Sequence, residues 1–192
     1  MLKSEDENDD EDEDEKSMQI PLVMTIISPD RTGLVESIAR TVAENGGNWL
    51  ESRMCRLGGE FAGILRVEIP AAKKSALLAA LQKLQANDLQ IVIRDDAPAS
   101  AASGQQTKLE IIGSDRPGIV RDITSALARA GVNVEEFSSE LSSAPMSGEM
   151  LFKASARLQL PDHCDVAALK TDLEKIAADL LVDVSLAELS GK

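Results

Sequence analysis

The chain has 192 residues, a formal net charge of −13 and only 2% aromatic residues; this length fits one or two domains with apolar content enough for a core. The acidic balance lacks the basic footprint of direct nucleic-acid binding, no apolar run reaches the roughly 18 residues of a membrane span, and the acidic start is not the basic-then-apolar pattern of a secretory signal. The expected setting is the cytoplasm, where Cys55 and Cys164, lacking CxxC spacing, read as buried or half-buried hydrophobes and not as a disulfide or zinc site.

The charge is concentrated at the start. Between Glu5 and Glu15 every residue except Asn8 is acidic, so residues 1–17 carry −8 and the remaining chain −5. Like charges at every spacing, i,i+4 included, oppose a helix. The segment is expected to be a disordered acidic tail, serving solubility or contact with a basic partner.

Ile20 to Ile27 reads as a strand, ended by Ser28-Pro29-Asp30. Leu34, Val35, Ile38, Val42 and Ala43 then share one helical face, and Gly46-Gly47 stops that helix with a left-handed cap. Asn48 to Leu57 and Glu60 to Ile69 read as strands joined at Gly58-Gly59, a hairpin signal. A helix from Ala71 to Leu84 aligns Leu77, Leu81 and Leu84, and Leu89, Ile91 and Ile93 alternate in a last strand. Pro98 to Thr107 is small and polar, the composition of a linker. Beyond it come a strand at Lys108 to Ile112, a helix at Pro117 to Ala130, and strands at Val132 to Leu141 and Leu151 to Leu160 with a longer loop near Pro145 to Gly148. Val166, Leu169, Leu173, Ile176 and Leu180 stripe another helix, and Val182, Val184 and Leu186 form a closing strand.

The second half repeats the first. Asp30-Arg31-Thr32-Gly33-Leu34-Val35 recurs as Asp115-Arg116-Pro117-Gly118-Ile119-Val120, an offset of 85 that also pairs Ile38 with Ile123, Gly46 with Gly131, Asn48 with Asn133 and Glu51 with Glu136. The expected organisation is a tail at 1–17, a domain at 18–97, a linker at 98–107 and a second domain at 108–192. Each domain runs β-α-β-β-α-β, the ferredoxin-like order. The expected fold class is α+β, two such domains in tandem. Each antiparallel sheet carries both helices on one face, and its other face is solvated or covered by a neighbour.

That plan serves many functions, so the site residues must decide. An RNA-recognition module needs stacking aromatics on its central strands, and only Trp49, Phe61, Phe137 and Phe152 are available. A metal carrier needs paired cysteines in the first loop, which is Ser28-Pro29-Asp30-Arg31. A hydrolase needs an oriented base, and His163, the lone histidine, reads as a solvated loop residue. Neither a metal nor a cofactor is expected.

Asp-Arg-x-Gly between strand one and helix one, with Gly-x-Asn opening strand two, occurs twice at one register. This arrangement resembles the ACT domain. Two such domains without an attached catalytic domain resemble the glycine cleavage system transcriptional repressor family. The resemblance implies a non-enzymatic regulatory protein that binds a small amino acid, commonly at an edge shared between two domains, and modulates a regulatory protein partner in transcriptional control. A homo-oligomer is compatible with it, and direct nucleic-acid or membrane contact is not expected. The alternative is a constitutive dimerisation or interaction module that needs no ligand.

The motif residues have matching chemistry. Asp30 and Asp115 stand where a helix N-cap is expected. Pro117 is tolerated in a first helical turn, and Gly33 and Gly118, placed in that turn, leave room for a ligand or backbone to approach. Asn48 and Asn133 offer donors and an acceptor at the start of the neighbouring strand. Arg31 and Arg116 can meet a carboxylate or form structural salt bridges. Together these residues are expected to border one pocket in each domain, between the first loop and strand two. Capping turns and helix stops are what the same motifs supply without a ligand.

Overall fold

The computed structural model describes residues 18–85, 88–96, 104–144 and 148–188. They belong to two compact units, divided between Pro98 and Ala99. The expected acidic tail, residues 97–103 and residues 145–147 of the longer hairpin loop lie outside the described residues.

The first unit contains β1 (Gln19–Pro29), α1 (Leu34–Glu44), β2 (Asn48–Leu57), β3 (Glu60–Pro70), a 3-10 turn at Ala71–Lys73, α2 (Lys74–Leu84) and β4 (Gln90–Asp95). The second contains β5 (Gln105–Ser114), α3 (Ile119–Arg129), β6 (Asn133–Ser143), β7 (Met150–Leu160), α4 (Val166–Leu180) and β8 (Val182–Glu188). The sheets are ordered β2-β3-β1-β4 and β6-β7-β5-β8, with every ladder antiparallel. The inferred α+β, ferredoxin-like architecture is therefore present twice.

Side chains alternate across each strand, so one sheet face is buried under the helices. In β1, Leu22, Met24 and Ile26 are buried, whereas Thr25 and Ile27 lie exposed on the other face. The first core joins these residues to Ile38 and Val42 of α1, Leu65 and Val67 of β3, and Leu77 and Leu81 of α2. The second joins Leu109, Ile123, Leu127, Leu158, Leu169 and Leu173 in corresponding positions. At the first hairpin Gly58 and Gly59 have φ of 60° and 88°, the paired positive values of a tight type I′ turn.

Several expectations change. Val35 and Ala43 are exposed, and Thr41 is buried in their stead because its hydroxyl donates to the Ser37 carbonyl at 2.8 Å. Val166 is likewise exposed, and Ala177 faces the core. Cys55 is exposed, contrary to expectation, because it stands in one row with Ala62 and Ile27 on the open face of the first sheet, whereas the adjacent residue, Met54, packs against the core; Cys164 is half-buried. β5 begins at Gln105, so Gln105 to Thr107, expected in the linker, pair with β7 instead. Their polar side chains concealed a ladder made by the backbone.

Candidate functional site

β1 ends at Pro29 and α1 begins at Leu34. The residue that caps the helix is Gly33, with φ 89° and ψ 3°; its counterpart Gly118 has φ 102° and ψ −10°. Neither helix start has a side-chain cap. The expected capping by Asp30 and Asp115 is therefore corrected: the helices start later, through a left-handed residue where a Cβ would be strained. Gly33 and Gly118 are thus caps and not first-turn residues, and Pro117 precedes its cap and stands outside the helix.

The first helical hydrogen bonds run from Ser37 N to Gly33 O and from Asp122 N to Gly118 O, each 2.9 Å. The preceding N–H groups, those of Leu34 to Glu36 and of Ile119 to Arg121, have no acceptor within their helices. Each helix thus presents a small electropositive mouth at the end of the first strand.

Asp30 and Asp115 fasten these mouths to the neighbouring hairpin. The Asp30 N–H donates to Gly59 O at 2.8 Å, and the Asp115 N–H donates to Met150 O at 3.0 Å. The Asp30 carboxylate also meets Arg56 Nε at 2.5 Å. Sequence reasoning missed Arg56; its position at the end of β2, beside a two-glycine hairpin, is the signal that it reaches the first loop. Arg31 and Arg116 are exposed and form no ion pair among the described residues.

The two mouths differ in charge. In the second unit Arg121 Nε donates to Asp122 Oδ1 at 2.7 Å, and this bond lowers the Asp122 pKa and raises that of Arg121. The repeat places Ser37 where Asp122 stands, and its hydroxyl donates to Leu34 O at 2.8 Å.

Asn48 and Asn133 open β2 and β6 and are exposed, as their placement requires. They do not join the loop residues. Asn48 lies opposite Glu68, which lies opposite Pro21, whereas Pro29 lies opposite Glu60, which lies opposite Leu57. Eight ladder positions of β1, about 26 Å at strand rise, separate the two ends. Asn133, opposite Gln159, stands at the corresponding end of the second sheet, away from Ser114 and Asp115. The single pocket expected within each domain is therefore corrected: α1 and α3 run back along the sheet before the asparagine strand begins. Among the described residues no group of three His, Cys, Asp or Glu side chains could hold a metal ion, and no helix is long and apolar enough to cross a membrane.

Two ferredoxin-like units, each with a glycine-capped helix mouth repeated at one register, define a tandem of one module. The ACT domain matches residues 21–94 and again residues 107–152. The chain belongs to the ACT-domain family. Among solved structures it is similar to one described as an unknown protein from Galdieria sulphuraria, at 29% identity and a TM-score of 0.78, covering 90% of this chain and 100% of that one. It is also similar to a protein provisionally named a glycine cleavage system transcriptional repressor, at 20% identity and a TM-score of 0.65, covering 91% of this chain and 100% of that one. Among curated protein sequences, none matches.

Proposed function

We propose that the chain is a non-enzymatic regulatory protein of the cytoplasm that senses a small amino acid through its ACT domains. It passes the signal to a partner protein, in transcriptional control of amino-acid metabolism and of glycine in particular. The observation that carries this reading is the repeated helix mouth beside Arg31 and Arg116, neither of which has an ion-pair partner among the described residues. A ligand carboxylate suits the free N–H groups that follow Gly33 or Gly118 and the nearby guanidinium. Its ammonium suits Asp30 or Asp115 and an asparagine carbonyl. Because the register separates these groups within one domain, Asn48 or Asn133 would reach the ligand from another copy of the chain. Binding would then change assembly, and assembly the partner contact, by linkage. The acidic composition favours action through a protein and not on DNA. The likeness to the named repressor supports the transcriptional and glycine parts.

Calorimetric titration with glycine, serine and a wider amino-acid panel tests this. The expected result is binding by millimolar ligand, weakened in Asn48→Ala or Asn133→Ala with the fold retained; neither heat nor thermal shift across the panel would overturn it. One observation favours the second reading, a constitutive interaction module. Ile27, Ile64 and Val92, 42%, 47% and 55% exposed, share the open face of the first sheet. That reading expects partner binding indifferent to amino acids.

A further inference from the structure

The open faces of the two sheets have the same backbone plan and different chemistry. In the second sheet one row across the ladders reads Glu140, Lys153, Ile112 and Asp183. The next row reads Ser138, Ser155, Glu110 and Ser185. In the first sheet the matching rows read Cys55, Ala62, Ile27 and Gln90, then Arg53, Ile64, Thr25 and Val92. The second rows border a cavity of about 440 Å³ on this face, lined by all four strands.

The charges in that cavity are unbalanced. Glu110 is neutralised by Lys108 at 2.7 Å. Lys153, Glu140 and Asp183 form no ion pair among the described residues, although Glu140 stands directly across from Lys153. What remains is one ammonium and two carboxylates in a line, with the apolar Ile112 between Lys153 and Asp183. Neighbouring strands are about 4.8 Å apart, so Glu140 and Asp183 stand about 14 Å apart at the backbone. The complement of this line is a molecule with one carboxylate, one ammonium beside it and a second ammonium at the end of a methylene stem. Hydroxyls of Ser138, Ser155 and Ser185, each two residues along its strand from Glu140, Lys153 or Asp183, add donors and acceptors beside the charged groups.

We propose that this face of the second domain binds a diamino monocarboxylic acid. The carboxylate meets Lys153, the α-ammonium meets Glu140, the stem crosses Ile112 and the distal ammonium meets Asp183. The site is separate from the helix mouths, and its ligand class does not depend on the reading given for them.

The test is calorimetry on the full chain with L-lysine and L-ornithine as probes. L-Norleucine, which lacks the distal ammonium, and cadaverine, which lacks the carboxylate, serve as comparators. The expected result is binding of a diamino acid, about tenfold or more tighter than either comparator. Lys153→Met, which keeps the aliphatic stem, and Asp183→Asn each weaken it by about tenfold or more. Thr25→Ala, on the matching row of the first sheet, leaves it unchanged. No heat from either diamino acid at millimolar concentration overturns the proposal, as does norleucine binding equally well. Binding that survives both Lys153→Met and Asp183→Asn but is lost in the asparagine variants supports the helix-mouth sites and overturns this one.

Discussion

The carboxylate of Asp30 holds Arg56 Nε at 2.5 Å, joining the loop before α1 to the end of β2. The arginine side chain is 68% exposed, so the pair contributes little to global stability, under about 1 kcal/mol. Its effect is local: it and the Asp30 N–H bond to Gly59 hold the same short loop. Arg56→Ala should leave the unfolding midpoint nearly unchanged while speeding amide exchange at residues 30–33. Unchanged exchange would show that the backbone bond alone orders the loop.

Gly33 and Gly118 should tolerate alanine poorly despite open space at Gly33. A Cβ there meets nothing within 4 Å, so the cost comes from φ 89° alone. Gly33→Ala should destabilise the first domain by about 1–2 kcal/mol. Gly118→Ala adds a close approach of 3.2 Å to Arg121 Nη2, the movable end of a side chain, and should cost about the same. Urea unfolding of the two variants checks both.

Asp122 gives a pH signature. Its pKa is lowered chiefly by the hydrogen bond from Arg121. A group depressed in the folded state contributes stability that is present above its unfolded pKa and lost as pH falls through its folded value. The contribution should therefore fade below the ordinary carboxylate range. A carboxyl NMR titration should place the Asp122 midpoint beneath that of an exposed aspartate, and Arg121→Ala should return it upward. Equal midpoints in both proteins would contradict the pairing.

The two thiols should separate under alkylation. Cys55 is exposed on edge strand β2, and Cys164 is half-buried against the second core. Iodoacetamide followed by peptide mass spectrometry should find Cys55 modified first; faster labelling of Cys164 would place the protection elsewhere.

The element order was legible because the core residues alternate cleanly, as Leu65, Val67 and Ile69 do in β3, and because Gly58-Gly59 marks its turn. The helix starts were less so. Asp30 has the chemistry of a cap, but the turn demanded a left-handed residue and Gly33 supplied it. Thr107 read as linker because the ladder it joins is made by the backbone. Proximity was the hardest to read: Asn48 is close to Gly33 in sequence, yet α1 carries the chain the length of the sheet between them. Lys153 and Asp183 were ordinary surface residues until the registers set them in one row.

That separation has a consequence for counting. A molecule touching the loop of one copy and the asparagine of its mate is related by a two-fold axis to a second, equivalent molecule at the opposite rim. On the proposed shared site, occupancy at such rims would come in pairs, two molecules for each isologous contact. A titration ending at an odd number of ligands per symmetric dimer would therefore reveal broken symmetry or a ligand seated elsewhere.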